Sequence, residues 1–461
     1  MRFCHRGSIS FLLFVAIPVV NCHFLAMKSI VCAILMLLLS ANFARAESIS
    51  LSAAIHKAIA QNRSLTALAN RLRESDQKIE QARASYRPQF KLGGSYTYLS
   101  RLSEIKLSLP LPVSMPSVKT GTHNVLDANV SGSYLLLDWG KRAKVVAQAK
   151  IGRKLAEVNL AGASEEVIYQ LIRAYAGATL QTENVGLLRK YLEISKKHLE
   201  DAKTKFANGL VSEFDVLKSE LQSKVYEEQL AMVDVDQQEA LLSLTEICGG
   251  DTLILLEPAD SLSQLTIDWP STVSFDELLA QKPQVRALRT QQSLSQLSAA
   301  AERLRPTVAA VSSAGWKNSY MPEPNKLQLN YVGGLSLTFP VFDGGYSKHR
   351  QQEEQEKQRS YQLDIDRILS ESRRRVDILY QEMRKIDAKR RITQDKLALA
   401  RKALEIASVS YGAGLITNSD YLDAELEIES IETQSLQDRY AMIMNQLELK
   451  KELSYFPEIE H

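Results

Sequence analysis

The side chains able to ligate a metal, move a proton or attack a carbonyl are thinly spread through this 461-residue sequence. Beyond residue 46 the histidines are His56, His123, His198, His349 and His461, too far apart to form a metal-ligand motif. Cys248 stands alone, and the other cysteines, Cys4, Cys22 and Cys32, all fall in the first 32 residues, so no disulfide framework is expected. Ser75-Asp-Gln-Lys78 has the S-x-x-K spacing of an acylating serine, but it lies within a helical stretch and lacks its companion motifs. No glycine-rich phosphate cradle of the G-x-x-x-x-G-K or G-x-G-x-x-G type occurs, so any energy the protein uses must come from a partner. The basic runs Arg373-Arg374-Arg375 and Lys389-Arg390-Arg391 are interleaved with Glu371, Asp377, Glu382 and Asp387, the pattern of a solvated or intersubunit helix face rather than a nucleic-acid surface. The residues therefore predict no enzyme, no cofactor, no metal site and no nucleic-acid partner.

What remains is architecture. With 45% hydrophobic and 24% charged residues and a formal charge of +2, the chain can bury a large core. Residues 1–46 read as an export leader with an upstream extension. Met27 is the expected start, Lys28 the basic region, 30–39 the apolar run, and Ala44-Arg45-Ala46 the cleavage site. A lipoprotein signal ending at Cys22 is the alternative, with Asn21 where a small residue is expected. Loss of residues 1–46 removes Arg2, Arg6, Lys28 and Arg45 and no acid, leaving a net charge of about −2. No run of 18 apolar residues follows, so an exported protein without a helical anchor is expected.

The exported part repeats itself. Phe206-Ala-Asn-Gly209-Leu210-Val-Ser-Glu-Phe-Asp215-Val-Leu217-Lys218 aligns with Tyr411-Gly-Ala-Gly414-Leu415-Ile-Thr-Asn-Ser-Asp420-Tyr-Leu422-Asp423, at an offset of 205 residues. The same offset relates Asp138-Trp139-Gly140 to Asp343-Gly344-Gly345. Arg87-Pro88 and Arg305-Pro306 correspond at an offset of 218, so the first copy carries 13 extra residues, placed around 107–119. The division expected is 47–250 for the first repeat, 251–273 for a connecting equatorial segment, 274–453 for the second repeat and 454–461 for a tail. Each repeat reads helix, strand, strand, very long helix, turn, helix. Residues 141–207 contain no proline and carry apolar residues at three-and-four spacing, which predicts a helix about 100 Å long; 346–410 has the same character. Asn208-Gly209 and Ala413-Gly414 supply the reversals, and Ser212 and Thr417 the caps of the returning helices.

The strand segments alternate. Phe90, Leu92, Tyr96 and Tyr98 share one face, Leu126, Val130, Tyr134 and Leu136 another, and Leu329, Tyr331, Leu335 and Leu337 a third, with small polar residues between. The segment 307–317, with Val308, Ala310, Ala314 and Trp316, is the weakest of the four. Nine to eleven residues of such alternation suit a tilted bilayer-spanning strand. Four strands are too few to close a membrane barrel, and open edges in lipid would leave backbone groups unpaired, so closure demands several chains.

With these residues in place, the sequence resembles the TolC-type outer-membrane efflux protein family (outer membrane factors) over essentially the whole exported chain. The resemblance rests on the two Gly-Leu tip motifs, the Arg-Pro starts, the Leu137-Asp138-Trp139-Gly140 and Pro340-Val341-Phe342-Asp343-Gly344-Gly345 exits, and the opening Leu51-Ser-Ala-Ala54-Ile-His-Lys-Ala58 with Asn62. It implies a mostly α fold with four strands per chain. Assembled as a homotrimer, it would form a 12-stranded β-barrel in outer-membrane lipid, continuous with a 12-helix periplasmic α-barrel. The implied function is a passive exit duct for efflux or type I secretion, partnered by a periplasmic adaptor and an inner-membrane pump of RND, ABC or MFS type. A soluble periplasmic coiled-coil adaptor or scaffold is the alternative, and it leaves the four alternating strands unexplained.

The resemblance also assigns roles. Asp420 and Asp423 fall where inward aspartates narrow the periplasmic opening, and rings of like charge there would attract cations and resist full ionisation. The competing reading is that both are solvated residues favoured at a helix start. In the first repeat Asp215 matches Asp420 but Lys218 stands opposite Asp423, so both are possible gate partners. Gly209, Leu210, Gly414 and Leu415 match the adaptor-contact tips; turn geometry accounts for the glycines, and less well for the leucines.

Overall fold

Two short sequence devices organise the molecule, and each occurs twice. Where a strand ends and a long helix begins, Asp138 accepts hydrogen bonds from the backbone N–H groups of Gly140 (3.1 Å) and Arg142 (2.8 Å). Asp343 does the same for Gly345 (3.0 Å) and Ser347 (2.9 Å). Gly140 and Gly345 sit at φ 82° and 86°, a left-handed conformation that costs a glycine little and turns the chain into the helix. The computed structural model describes residues 47–105, 117–250, 254–265, 275–301 and 305–456. The expected leader, most of the 107–119 insertion, much of the expected 251–273 connection and the end of the expected tail lie outside the described residues.

Chain order is β1 (Glu47–Ile49), α1 (Leu51–Gln61), α2 (Arg63–Ala84), β2 (Gln89–Tyr98), β3 (Ser103–Ile105), β4 (Val118–Thr120), β5 (Asn124–Leu137), α3 (Lys141–Ala207) and α4 (Glu213–Ile247). It continues with β6 (Leu256–Pro258), α5 (Phe275–Gln281), α6 (Pro283–Ala301), β7 (Thr307–Lys317), β8 (Gln328–Thr338), α7 (Tyr346–Gly412) and α8 (Asn418–Glu452). Helices α3 and α7 are each 67 residues long, and α4 and α8 are each 35. At 1.5 Å per residue the longer pair spans about 100 Å, as the uninterrupted periodicity predicts. Asn62 breaks the first helical segment: it ends α1, and its side chain accepts the N–H groups of Ser64 (2.9 Å) and Leu65 (3.2 Å) to start α2.

The main sheet has the order β2-β5-β7-β8, antiparallel throughout, and it is open: β2 and β8 are edges. Its register puts the apolar residues on one surface, because Leu92 pairs with Val130, Tyr96 with Leu126, Ala314 with Tyr331 and Ala310 with Leu335. That surface is bare, Leu92 being 85% and Tyr331 84% exposed. The opposite face carries Ser131, Ser133, Ser313 and Asn330, with a Lys317–Asp127 ion pair at 3.3 Å. Large aromatics ring the helix-proximal end of the sheet, including Trp139, Phe342 and Tyr346, all exposed. No described helix is long and apolar enough to cross a membrane.

Where the helices bury apolar surface, they do so along their lengths. A cluster of Ala54, Ala58, Leu171, Leu244, Cys248 and Leu256 binds α1, α3, the end of α4 and β6 together. Tyr175, fully buried there, donates to the Asp260 carboxylate (2.7 Å), which also accepts the Leu51 N–H (2.9 Å). The parallel β1–β6 pair is thereby pinned to α3. A second cluster, Leu188, Tyr191, Tyr226, Ala400, Ile428 and Ile431, draws residues from α3, α4, α7 and α8 and joins the two helical hairpins.

Candidate functional site at the hairpin tips

Each hairpin reverses in the same way. Gly209 (φ 70°) and Gly414 (φ 73°) take the left-handed position. The next N–H closes the helix end, Leu210 to the Lys205 carbonyl (2.9 Å) and Leu415 to the Ser410 carbonyl (2.8 Å). A Cβ on either glycine would meet nothing within 4 Å, so the backbone conformation, not crowding, requires the residue. Leu210 and Leu415 stand 73% and 78% exposed at the extreme ends.

The aspartates that follow close capping boxes. Asp215 N–H donates to Ser212 Oγ (3.3 Å) while the Asp215 carboxylate accepts the Ser212 N–H (3.0 Å). Asp420 repeats this with Thr417, at 3.2 and 2.9 Å. Hydrogen bonds from Thr417, with a smaller contribution from Lys218, hold the Asp420 carboxyl below its ordinary value. Asp423 lies one turn on and is exposed. Thus two aspartates singled out by spacing have a local structural task, and Asp423 does not share it. Lys218 reaches across from the first hairpin to the second, its Nζ donating to Ser419 Oγ at 2.5 Å. It is brought beside Asp420 but bonds to the intervening hydroxyl.

A buried latch lies just behind the caps, formed by residues the sequence did not single out as a site. Asn418, 3% exposed, accepts His198 Nε2–H on its Oδ1 (2.7 Å) and donates from Nδ2 to the Asp215 carbonyl (3.0 Å) and Ser219 Oγ (3.1 Å). One amide thus ties α8 to both α3 and α4. The His198 ring stacks on Tyr421 at 4.2 Å and leans on Tyr411 at 5.0 Å. Lys205 Nζ sits 3.7 Å above the Tyr411 ring and donates to the Tyr411 carbonyl (2.9 Å). Burial pushes the His198 imidazole below its ordinary value, against the opposing pull of its Asn418 bond. Behind this layer Glu425 is fully buried, with neither carboxylate oxygen hydrogen-bonded among the described residues. One cue was present in the sequence: Tyr411 lies three residues and His198 eleven residues before a tip glycine. The pairing partners, however, are some 200 residues away, beyond any local pattern.

A model of the outer membrane efflux protein family matches residues 54–250 and 275–453, one segment for each long hairpin with its preceding elements. The chain belongs to the outer membrane efflux protein family. Among its relatives is the cobalt-zinc-cadmium resistance protein CzcC of Cupriavidus metallidurans, 24% identical over 383 residues that span 82% of this chain and 83% of CzcC. The alkaline protease secretion protein AprF of Pseudomonas aeruginosa is 23% identical over 62% of this chain and 60% of its own length. The fold matches that of the Campylobacter jejuni CmeC outer membrane channel at a TM-score of 0.71, with 17% identity over 87% of this chain and 85% of CmeC. As a family member the chain is an outer-membrane exit duct that reaches into the periplasm and works with an adaptor and an inner-membrane pump. Members of this efflux family are channels and not enzymes.

Proposed function

We propose that this duct is completed by three copies of the chain, giving twelve strands in the outer membrane and twelve long-helix segments below it. The observation that carries this reading is the open four-stranded sheet, apolar and bare on one face, polar on the other, with both edges unpaired. In lipid such edges are untenable, and pairing β2 of one copy with β8 of the next removes them all. The helices support the same arrangement. On α7, Ile392, Leu399 and Ile406 recur every seven residues and are each more than half exposed, and on α4 so are Phe214, Leu217 and Leu221. Seven-residue apolar spacing is that of a coiled-coil seam, here without a partner among the described residues.

At the tips, rings of Asp423, with Asp420 beside it, form the constriction in this reading, and Lys218 and Asp215 belong to its gate. Leu210 and Leu415, held out by Gly209 and Gly414, meet the adaptor, since exposed leucines at a hairpin end have nothing of their own to pack against. The pump, of RND, ABC or MFS type, supplies energy and selects cargo. The relatives' names point to metal-ion resistance in one case and protein secretion in the other, consistent with a duct that itself selects little. Membrane fractionation tests this proposal. The protein is expected in the outer-membrane fraction, released only by detergent and migrating as a trimer; recovery from the periplasm without detergent would sink it.

A further inference from the structure

Glu425 is the one acid among several in its stretch that the fold isolates. Glu427 is exposed and Glu429 accepts a hydrogen bond from Thr433 (3.1 Å), whereas Glu425 has 0% exposure and no hydrogen-bond partner among the described residues. It sits just over one turn beyond Asp420, in the joint where α8 meets the first hairpin. The groups around it are neutral or acidic. From α4 comes Tyr226, fully buried, with the neutral Gln222 amide beside its hydroxyl. From α8 itself come Tyr421 and Glu429. Helix α3 sets Tyr191 against Tyr226 at 6.1 Å and His198 against Tyr421, with Asp201 and Lys205 acting on His198 from its outer side. Helix α7 adds Tyr411, 5.6 Å from Tyr421, and the apolar Ala400 and Leu404. Among the described residues no cation compensates a charge on the carboxyl.

An ionised carboxylate so placed is costly, and the cost vanishes if it is protonated or if water enters. We propose that Glu425 is a protonation-controlled wedge in the joint between the two hairpins: neutral, it lets the tips stay packed and the duct closed; ionised, it admits water and lets the hairpins part. This rests on the exit-duct reading. Burial alone raises the Glu425 carboxyl to about 7 from an ordinary 4.5. The packed joint therefore holds the proton more tightly than the parted one. Its stability is fully present below 4.5 and is lost as pH rises from there through about 7, by up to roughly tenfold in the closed-to-open ratio per pH unit. His198 acts in the opposite sense, because its neutral form is the packed one and acid below its ordinary 6.5 disfavours the joint. A duct built this way tightens as its surroundings become mildly acidic.

Two measurements test the wedge. In planar bilayers the native trimer is expected to open more often at pH 8 than at pH 5.5, by a few-fold, since the His198 contribution offsets part of that of Glu425. Glu425→Gln, nearly isosteric and permanently neutral, should open less than the native protein at pH 8 and lose most of the pH response, what remains being the balance of His198, of reversed sign, and Glu429, whose carboxyl burial also raises. A Gln variant that keeps the native pH response overturns the proposal. The second measurement needs neither a variant nor conductance: hydrogen–deuterium exchange of 418–430 in the detergent-solubilised native protein, corrected for intrinsic rates. Faster exchange at pH 8 than at pH 5.5 supports the wedge, and equal protection overturns it. A protein that never conducts would count against the duct, and the exchange result would still decide whether Glu425 governs the joint.

Discussion

Asp420 and Asp423 look equivalent in the sequence, three apart on one helical face, but the structure divides their work. Asp420 spends its carboxylate on the Thr417 backbone and hydroxyl, at 2.9 and 2.7 Å, so its charge is tied to the start of α8. Asp423 makes no such bond among the described residues and is the freer charge for a constriction ring. In planar bilayers, Asp423→Ala is expected to raise single-channel conductance and weaken divalent-cation block, while leaving amide exchange in the first turn of α8 as it is. Asp420→Ala should raise conductance too, but it should also speed that exchange, since losing a cap contact costs about 1 kcal/mol. Unchanged conductance and block in both variants would remove the aspartates from the gate. The contrast shows what was legible at this scale. Capping residues and tip glycines could be read because their partners lie within four residues. His198 and Asn418 could not, since their bond spans 220 positions. Glu425 was hidden differently: in Glu425-Leu-Glu427-Ile-Glu429 three acids alternate, and only the packing of α4 against α8 shows which of them is sealed.

Among the elements, the long helices and the four sheet strands follow the sequence reading to within two or three residues, because both carry a period over ten or more positions. The equality of α3 with α7 and of α4 with α8 is the duplication expressed in three dimensions. The short pieces are a different matter. Strands β1 and β6 are three residues each and pair over a separation of more than 200 positions, and β3 and β4 form a three-residue ladder above the sheet. Three residues carry no period, and their pairing is decided by Tyr175 and Asp260 in one case and by the hairpin of β2 and β5 in the other. The seam on α7 is legible in the sequence as spacing but becomes meaningful only once its residues prove bare. Leu399, 70% exposed in the single chain, would contribute about 1.5–3 kcal/mol on burial against a neighbouring copy. Leu399→Glu is therefore expected to convert a detergent-stable trimer into smaller species by size-exclusion chromatography with light scattering, with far-ultraviolet circular dichroism unchanged. An intact trimer would place this face outside the interface.

For the whole molecule, the deciding feature is that the helical half buries clusters of its own while the sheet is left unfinished. The α-helical body has internal clusters along its length as far as the tips, yet among the described residues the sheet has no core on either face and both edge ladders are open. A further sheet packed on the apolar face would hide that face but leave the edges open, while lipid on that face together with edge closure answers both. The prediction is geometric. Within one chain β2 and β8 are separated by two intervening strands, about 14 Å apart at the usual strand spacing, too far for a disulfide. Between copies they would be neighbours. Cysteines at Lys91 or Gly93 on β2, combined with Gly334 or Ser336 on β8, give four pairs on the polar face that sample the register. Beyond residue 46 the one cysteine, Cys248, is buried and will not compete. Mild oxidation of intact outer membranes should link at least one pair into dimers and trimers on a non-reducing gel, collapsing to monomer on reduction. Monomers from all four pairs would mean that β2 and β8 do not meet, and the sheet would have to be completed in some other way.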